Sequence, residues 1–183
     1  MQDKNAEVTI MKKRYISIMM TLTAVIGMVI ALTLPASAAV RRVVDADSRY
    51  LHQKCEKVTV FDTNLQYLVE DLCDTLSYAG DSCVGISAPE IGVSKRVCVV
   101  NIDGENLELI NPVLISSKGE NASVEGCVSI PGVYVSITRP AEIEIQYADR
   151  YGVSHTMQAN GFLARVIMHE MDHLDGVVIT DYE

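Results

Sequence analysis

Ten residues from the end of the chain stands the last member of His169-Glu170-Met171-Asp172-His173, a His-Glu-x-x-His pattern. On a helix, residues four apart lie one above the other, so His169 and His173 present two imidazoles to one divalent metal. Glu170, beside them, is placed to serve a bound water as base. That chemistry is hydrolysis. Catalytic sites of this type take three protein ligands and keep a fourth position open. The common third ligands lie downstream, as a glutamate on a later helix or as the last histidine of His-Glu-x-x-His-x-x-Gly-x-x-His. Here Gly176 fits the extended pattern, but Ile179 stands where that histidine belongs. The third ligand is therefore expected upstream, among the cysteines, His52, His155 and the acids. Glu125-Gly126-Cys127-Val128-Ser129-Ile130-Pro131-Gly132 is the most suggestive setting, a strand running into a Pro-Gly turn where a thiolate can project while backbone amides stay free for substrate. A strand cysteine by itself is more often inert core. Beside a two-histidine helix short of a ligand, Cys127 leads the candidates.

The elements that must hold these residues follow from periodicity. Asp62 or Thr63 caps a helix in which Leu65, Leu68, Val69, Leu72 and Leu76 recur at helical spacing up to Ala79-Gly80. Residues 81–92 read as a Gly/Pro/Ser loop. Residues 96–102 and 107–110 alternate around Asp103-Gly104 as a hairpin, which Asn111-Pro112 breaks. Short strands are expected over 115–117, 124–130, 133–138, 143–148 and 153–157, with turns at Pro131-Gly132, Arg139-Pro140 and 149–152. Asn160 caps the last helix, Phe162, Leu163, Val166 and Ile167 give it a buried face, and Gly176 stops it. A closing strand is expected over 177–180. The fold class is α+β, small antiparallel sheets packed around the C-terminal metal-binding helix.

Of the 183 residues, 49% are hydrophobic, enough for one domain with a proper core and too few for two. Lys12-Lys13-Arg14, an uncharged run over 15–34 and Pro35-Ala36-Ser37-Ala38-Ala39 together read as an export signal cleaved after Ala38, with an uncleaved membrane anchor as the competing reading. The division is thus 1–38 as signal or anchor and 39–183 as catalytic domain, exported to the periplasm or the medium. The formal charge is −9, and removing 1–38, with four basic and two acidic residues, makes it −11. Nucleic acid is excluded as a partner by so acidic a domain. All five cysteines lie beyond residue 38, so an exported chain leaves at least one unpaired or assigned to other work.

Three stretches in order resemble the signature motifs of the peptide deformylase family. They are Gly85-Ile86-Ser87-Ala88-Pro89-Glu90-Ile91-Gly92, Glu125-Gly126-Cys127-Val128-Ser129 and His169-Glu170-Met171-Asp172-His173, where the family has Gly-x-Gly-Leu-Ala-Ala-x-Gln, Glu-Gly-Cys-Leu-Ser and Gln-His-Glu-x-Asp-His. The resemblance implies one divalent ion, Fe²⁺ or Zn²⁺, on Cys127, His169 and His173, and removal of the formyl group from N-formylmethionyl peptides; the chain is separately expected to be a monomer. The resemblance also implies Glu170 as proton carrier and the Val128 amide with the motif-one residue, Glu90, around the oxyanion. Gly85, Ile86, Glu125, Gly126, Phe162 and Val166 are expected to bind substrate. For Arg139 two readings stand equally, support of Glu125 and a solvated strand-end arginine. Departures stand at Cys83 for the first glycine, Ser87 for an alanine, Met168 for a glutamine and, above all, Glu90 for the glutamine. A carboxylate cannot donate a hydrogen bond, so Glu90 is expected either to be protonated or to weaken or redirect the activity. The alternatives are a related N-acyl amide metallohydrolase with a shifted substrate, or a degenerate peptide-binding protein.

Overall fold

In the computed structural model residues 39–80 and 83–182 are described; the signal or anchor reading falls on 1–38, outside the described residues. Helix α1 (Thr63–Ala79) starts where Asp62 accepts a hydrogen bond from the Leu65 N–H, as expected of a cap, and stops at Gly80. Its Leu65, Val69, Leu72 and Leu76 form one buried stripe. Truncating a fully buried member of it, such as Leu72, should cost about 2–5 kcal/mol.

Five antiparallel strands form the main sheet in the order β1-β2-β3-β6-β7: β1 (Gly85–Ser87), β2 (Val97–Ile102), β3 (Glu105–Lys118), β6 (Glu142–Ala148) and β7 (Ser154–Asn160). Between β3 and β6 the chain makes a separate two-stranded sheet from β4 (Asn121–Cys127) and β5 (Ile130–Arg139). Helix α2 (Gly161–Asp175) follows, and Gly176 closes it in the left-handed conformation. Asn160 does occupy the cap position, although its side chain makes no capping bond.

Strand β2 explains how the core is arranged. Val97 and Val99 pack with the α1 stripe, while Cys98 and Val100 pack with Ala164, Ile167, Met171 and Leu174 of α2. A strand alternates its side chains, so α1 and α2 lie on opposite faces of the sheet and β2 reads as a continuous apolar run.

Several local expectations give way to long-range pairing. Residues 85–91 are not loop but β1 followed by a 3-10 turn, Ala88–Ile91, because β1 pairs with β2 in the register Ile86 to Val99. Asn111-Pro112 does not end its strand. Asn111 takes φ +52°, a conformation asparagine tolerates, and its side-chain amide exchanges two 2.8 Å bonds with the Val58 backbone, so β3 bulges there and continues into 113–118. The β4–β5 turn is Val128-Ser129 rather than Pro131-Gly132, which sits inside β5 beside a register shift between Gly126 and Cys127. The closing strand is instead a 3-10 turn, Ile179–Tyr182, whose Ile179 packs with Leu51, Val135 and Ile137. Among the described residues no helix is long and apolar enough to cross a membrane.

Candidate metal centre

On α2 the residues 165, 169 and 173 form one stripe at helical spacing, turned toward β4 and β5 and away from the apolar face. The bulge at Gly126/Cys127 re-aims Cys127 toward that stripe. The Cys127 Sγ and one ring nitrogen each of His169 and His173 lie within 4.8 Å of one another, with Sγ 3.3 Å from His173 Nε2. The two imidazoles stand edge to face at 4.9 Å between centroids.

Glu125 fixes the first histidine. Its Oε2 lies 2.9 Å from His169 Nδ1, which leaves Nε2 of that ring for a metal. Arg139 donates to Glu125 through Nε at 2.5 Å and Nη2 at 2.8 Å, and Arg165 Nη1 donates to it at 2.5 Å. Burial raises a carboxylate, but here the bonds from His169 and Arg139 prevail and hold Glu125 at about 2. Arg139 also bonds Asp172 at 2.8 Å, and Asp172 accepts from the Tyr182 hydroxyl at 2.8 Å. Arg139 is thus a buried support of Glu125 and not a solvated strand-end arginine. Arg165 and Tyr182 were not foreseen, although Arg165 lies one helical turn before His169, and that spacing was the available signal.

Glu90 faces the cluster from the 3-10 turn. Its Oε2 accepts from the Ser87 N–H at 2.8 Å and from the Ser87 hydroxyl at 2.7 Å, and its Oε1 accepts from the Ser129 hydroxyl at 3.2 Å. Oε1 is also 3.6 Å from Cys127 Sγ and 3.7 Å from His173 Nε2. Ser87 and Glu90, two of the departures from the family's motif, are therefore bonded partners. Burial opposes charge on Glu90, yet His173 and the Ser87 N–H hold it below the usual carboxylate range. Glu170, also buried, is pushed well above that range by desolvation and by the charge of Glu90. The two carboxylates thus interact directly, and the charge of Glu90 favours a proton on the pair.

Burial and the charges of Glu90 and Glu170 raise the Cys127 thiol, and burial lowers His173. The donor set fits a dication, whose charge would reverse this field and stabilise the thiolate. Glu170 Oε2 is buried without a hydrogen-bond partner, which matches a carboxylate whose partner is a bound water or substrate.

A cleft of about 490 Å³ opens over the cluster, bordered by Gly85, Gly126, Val128, Phe162 and Val166 among others. Strand β1 can pass so close to α2 only because residue 85 is glycine: a Cβ there would lie 2.5 Å from Glu170 Oε1 and 2.9 Å from Val166 Cγ1. Two of the expected substrate residues serve otherwise. Ile86 is fully buried in the α1 core, since alternation turns it away from the cleft. Glu125 borders the cleft, but both its oxygens are taken by Arg139, Arg165 and His169. Cys83 also lines the cleft, its thiol bonded to the Gly85 carbonyl at 3.0 Å and pushed up to about 12 by burial and by Glu90. All five cysteines are free.

The sequence model of the family described as polypeptide deformylase matches residues 40–182. The chain is 42% identical to peptide deformylase 1 of Bacillus subtilis over 144 residues, 78% of this chain and 89% of that one. Its fold is similar to the crystal structure of a peptide deformylase from Legionella pneumophila, with TM-score 0.75 and 36% identity over 78% of this chain and 85% of the other. It is equally similar to the Thermotoga maritima peptide deformylase, with TM-score 0.75 and 31% identity over 78% of this chain and 97% of that chain.

Proposed function

The chain belongs to the polypeptide deformylase family, and from that premise we propose how its own residues carry the family's reaction and where. The protein is a metal-dependent hydrolase that removes the formyl group from N-formylmethionyl peptides. Cys127, His169 and His173 hold one divalent ion, which when bound supplies Lewis acidity to water and to the formyl carbonyl. Glu170 takes the proton of the attacking water through Oε2 and returns it to the leaving amine. The Val128 amide donates to the developing oxyanion. Glu90 accepts from the Ser87 and Ser129 hydroxyls, and its charge raises Glu170, which favours Glu170 as a base. Gly85 and Gly126 line the cleft that takes the peptide, and Phe162 and Val166 supply apolar cover for the methionyl side chain.

The observation that carries this reading is the convergence of Cys127 Sγ, His169 and His173 within 4.8 Å under an unpartnered Glu170 oxygen. We further propose that residues 1–38 are an export signal cleaved after Ala38, and that 39–183 acts as a monomer outside the cytoplasm on peptides released there. The basic flank, apolar run and Ala-x-Ala site support this, and the family match begins just beyond them, at residue 40. Outside a reducing compartment a ferrous ion beside a thiolate is prone to oxidation, which favours zinc. The test measures metal content and amine release from formyl-Met peptides and from other N-acyl peptides, with iron under anaerobic conditions and zinc in parallel. Release from formyl-Met peptides by metal-loaded protein supports the assignment. Release from other acyl peptides alone, or bound metal without turnover, would overturn it.

A further inference from the structure

The leading arm of the described chain makes a set of contacts that the hydrolytic reaction does not use. The Ala39 N–H donates to Asp71 Oδ1 at 2.7 Å, and Arg41 Nε meets Asp71 Oδ2 at 3.0 Å. The Arg41 N–H donates to Thr75 Oγ1 at 2.9 Å, and that hydroxyl donates to the Asp71 carbonyl at 2.6 Å. Asp71 is 9% exposed and Thr75 2%, and the two stand one turn apart on α1. Alternate N–H groups of the arm thus face a matching pair on the helix. A few residues later the Val44 N–H donates to the Glu90 carbonyl at 2.8 Å, so the arm also ties α1 to the turn that carries Glu90.

A carboxylate largely buried in a helix, as the Asp71 side chain is at 13% exposure, is costly unless it is paired. An amide N–H and a half-exposed guanidinium compensate it thinly. An ammonium in place of the amide would bring a full charge and two further donors to the same point. We propose that Asp71 is a socket for the α-ammonium of a chain beginning at Ala39, so that removal of the leader locks the arm onto α1. This rests on the reading of 1–38 as a cleaved export signal. Hydrolysis of the Ala38–Ala39 bond by a signal peptidase consumes one water, leaves a carboxylate on Ala38 and makes the Ala39 nitrogen an ammonium. That nitrogen already lies at the distance of a charge-assisted bond. The register selects the residue: one step along an extended chain moves the amine by about 3.4 Å and turns it to the other side, so a terminus at Val40 misses Asp71.

The test is a melting comparison. The portion needed can be made alone, since this chain covers 97% of the Thermotoga maritima structure with 78% of its own length. A chain of residues 39–183 with a free amine should melt about 3 °C above the same chain acetylated at Ala39, and above one beginning at Val40. In Asp71→Asn the gap between free and acetylated chains should vanish. Equal melting of the free and acetylated chains, or a gap that survives Asp71→Asn, would overturn the socket while leaving export untouched. The first comparison needs no substitution, so it stands even if the variant folds poorly. N-terminal sequencing of the full chain produced in an exporting bacterial host addresses the premise separately: a start at Ala39 supports the proposal, and an uncleaved chain or another start overturns it.

Discussion

Two buried acidic groups flank the same metal ligands and have opposite fates. On one side Glu125 meets Arg139, Arg165 and His169, so every lone pair has a cationic or N–H partner and its charge is fixed. On the other, Glu90 and Glu170 face each other with hydroxyls, a backbone N–H and His173 for company, and one Glu170 oxygen has no partner. Residue type and burial are alike; the difference is the count of positive partners. A carboxylate saturated by guanidinium can only orient what it touches, whereas a carboxylate pair short of cations must share a proton and is therefore able to move one. Structure and chemistry are separated across about one side chain's width.

The largest effect is expected at Glu170. Glu170→Gln keeps the shape and removes the base, and formyl release should fall by roughly 10²–10⁴-fold while metal content, read by atomic absorption, stays at one ion per chain. Full turnover would remove Glu170 from the reaction. Next comes the saturated side: Arg139→Leu leaves Glu125 short of a partner and His169 loosely held, so metal affinity measured by chelator competition should drop about 10–100-fold. Unchanged affinity would mean that Glu125 needs only Arg165. Glu90→Gln sharpens the contrast. Because the charge of Glu90 raises Glu170, its removal lets Glu170 ionise at lower pH, and the acid limb of kcat/KM should move down by about one pH unit, in line with removal of a close like charge. A limb that stays in place would detach the two carboxylates.

Two smaller effects complete the series. Glu125 has a depressed folded-state pKa of about 2 against an ordinary 4.5, so its contribution to stability is present above the unfolded value and is lost as pH falls through the folded one. Acid unfolding followed by circular dichroism should show wild type losing stability between about pH 5 and pH 2, with a shallower slope in Glu125→Gln. Tyr182→Phe removes one hydroxyl from a half-exposed contact with Asp172, and should lower the melting temperature by only a few degrees, about 1 kcal/mol, with kcat nearly unchanged.

The helices, the Asp62 and Gly176 caps, the hairpin at Asp103-Gly104 and the ligand pair on α2 were legible because each depends on residues a few positions apart. Periodicity and capping act over one or two turns, and the chain writes them directly. The same local signals misled where a distant partner overruled them. Asn111-Pro112 reads locally as a break, yet Val58 holds a bulge open there, and Ile179, in a run that reads locally as strand, is drawn into a turn by Leu51 and β5. Ile86 looked like a pocket residue because it sits in a motif, but strand alternation against Val99 turns it into the core.

By itself the sequence determined the chemistry available: two imidazoles and a carboxylate on one helical face, a thiol in a Glu-Gly-Cys strand, and an acid where the family carries an amide. Only the tertiary structure decided which side of that chemistry is fixed and which is mobile. The partners of Glu125 come from 14, 40 and 44 residues away, and Glu90 meets Ser129 across 39. Proton affinity depends on the charges within a few ångströms, and those are brought together by folding rather than by neighbourhood along the chain.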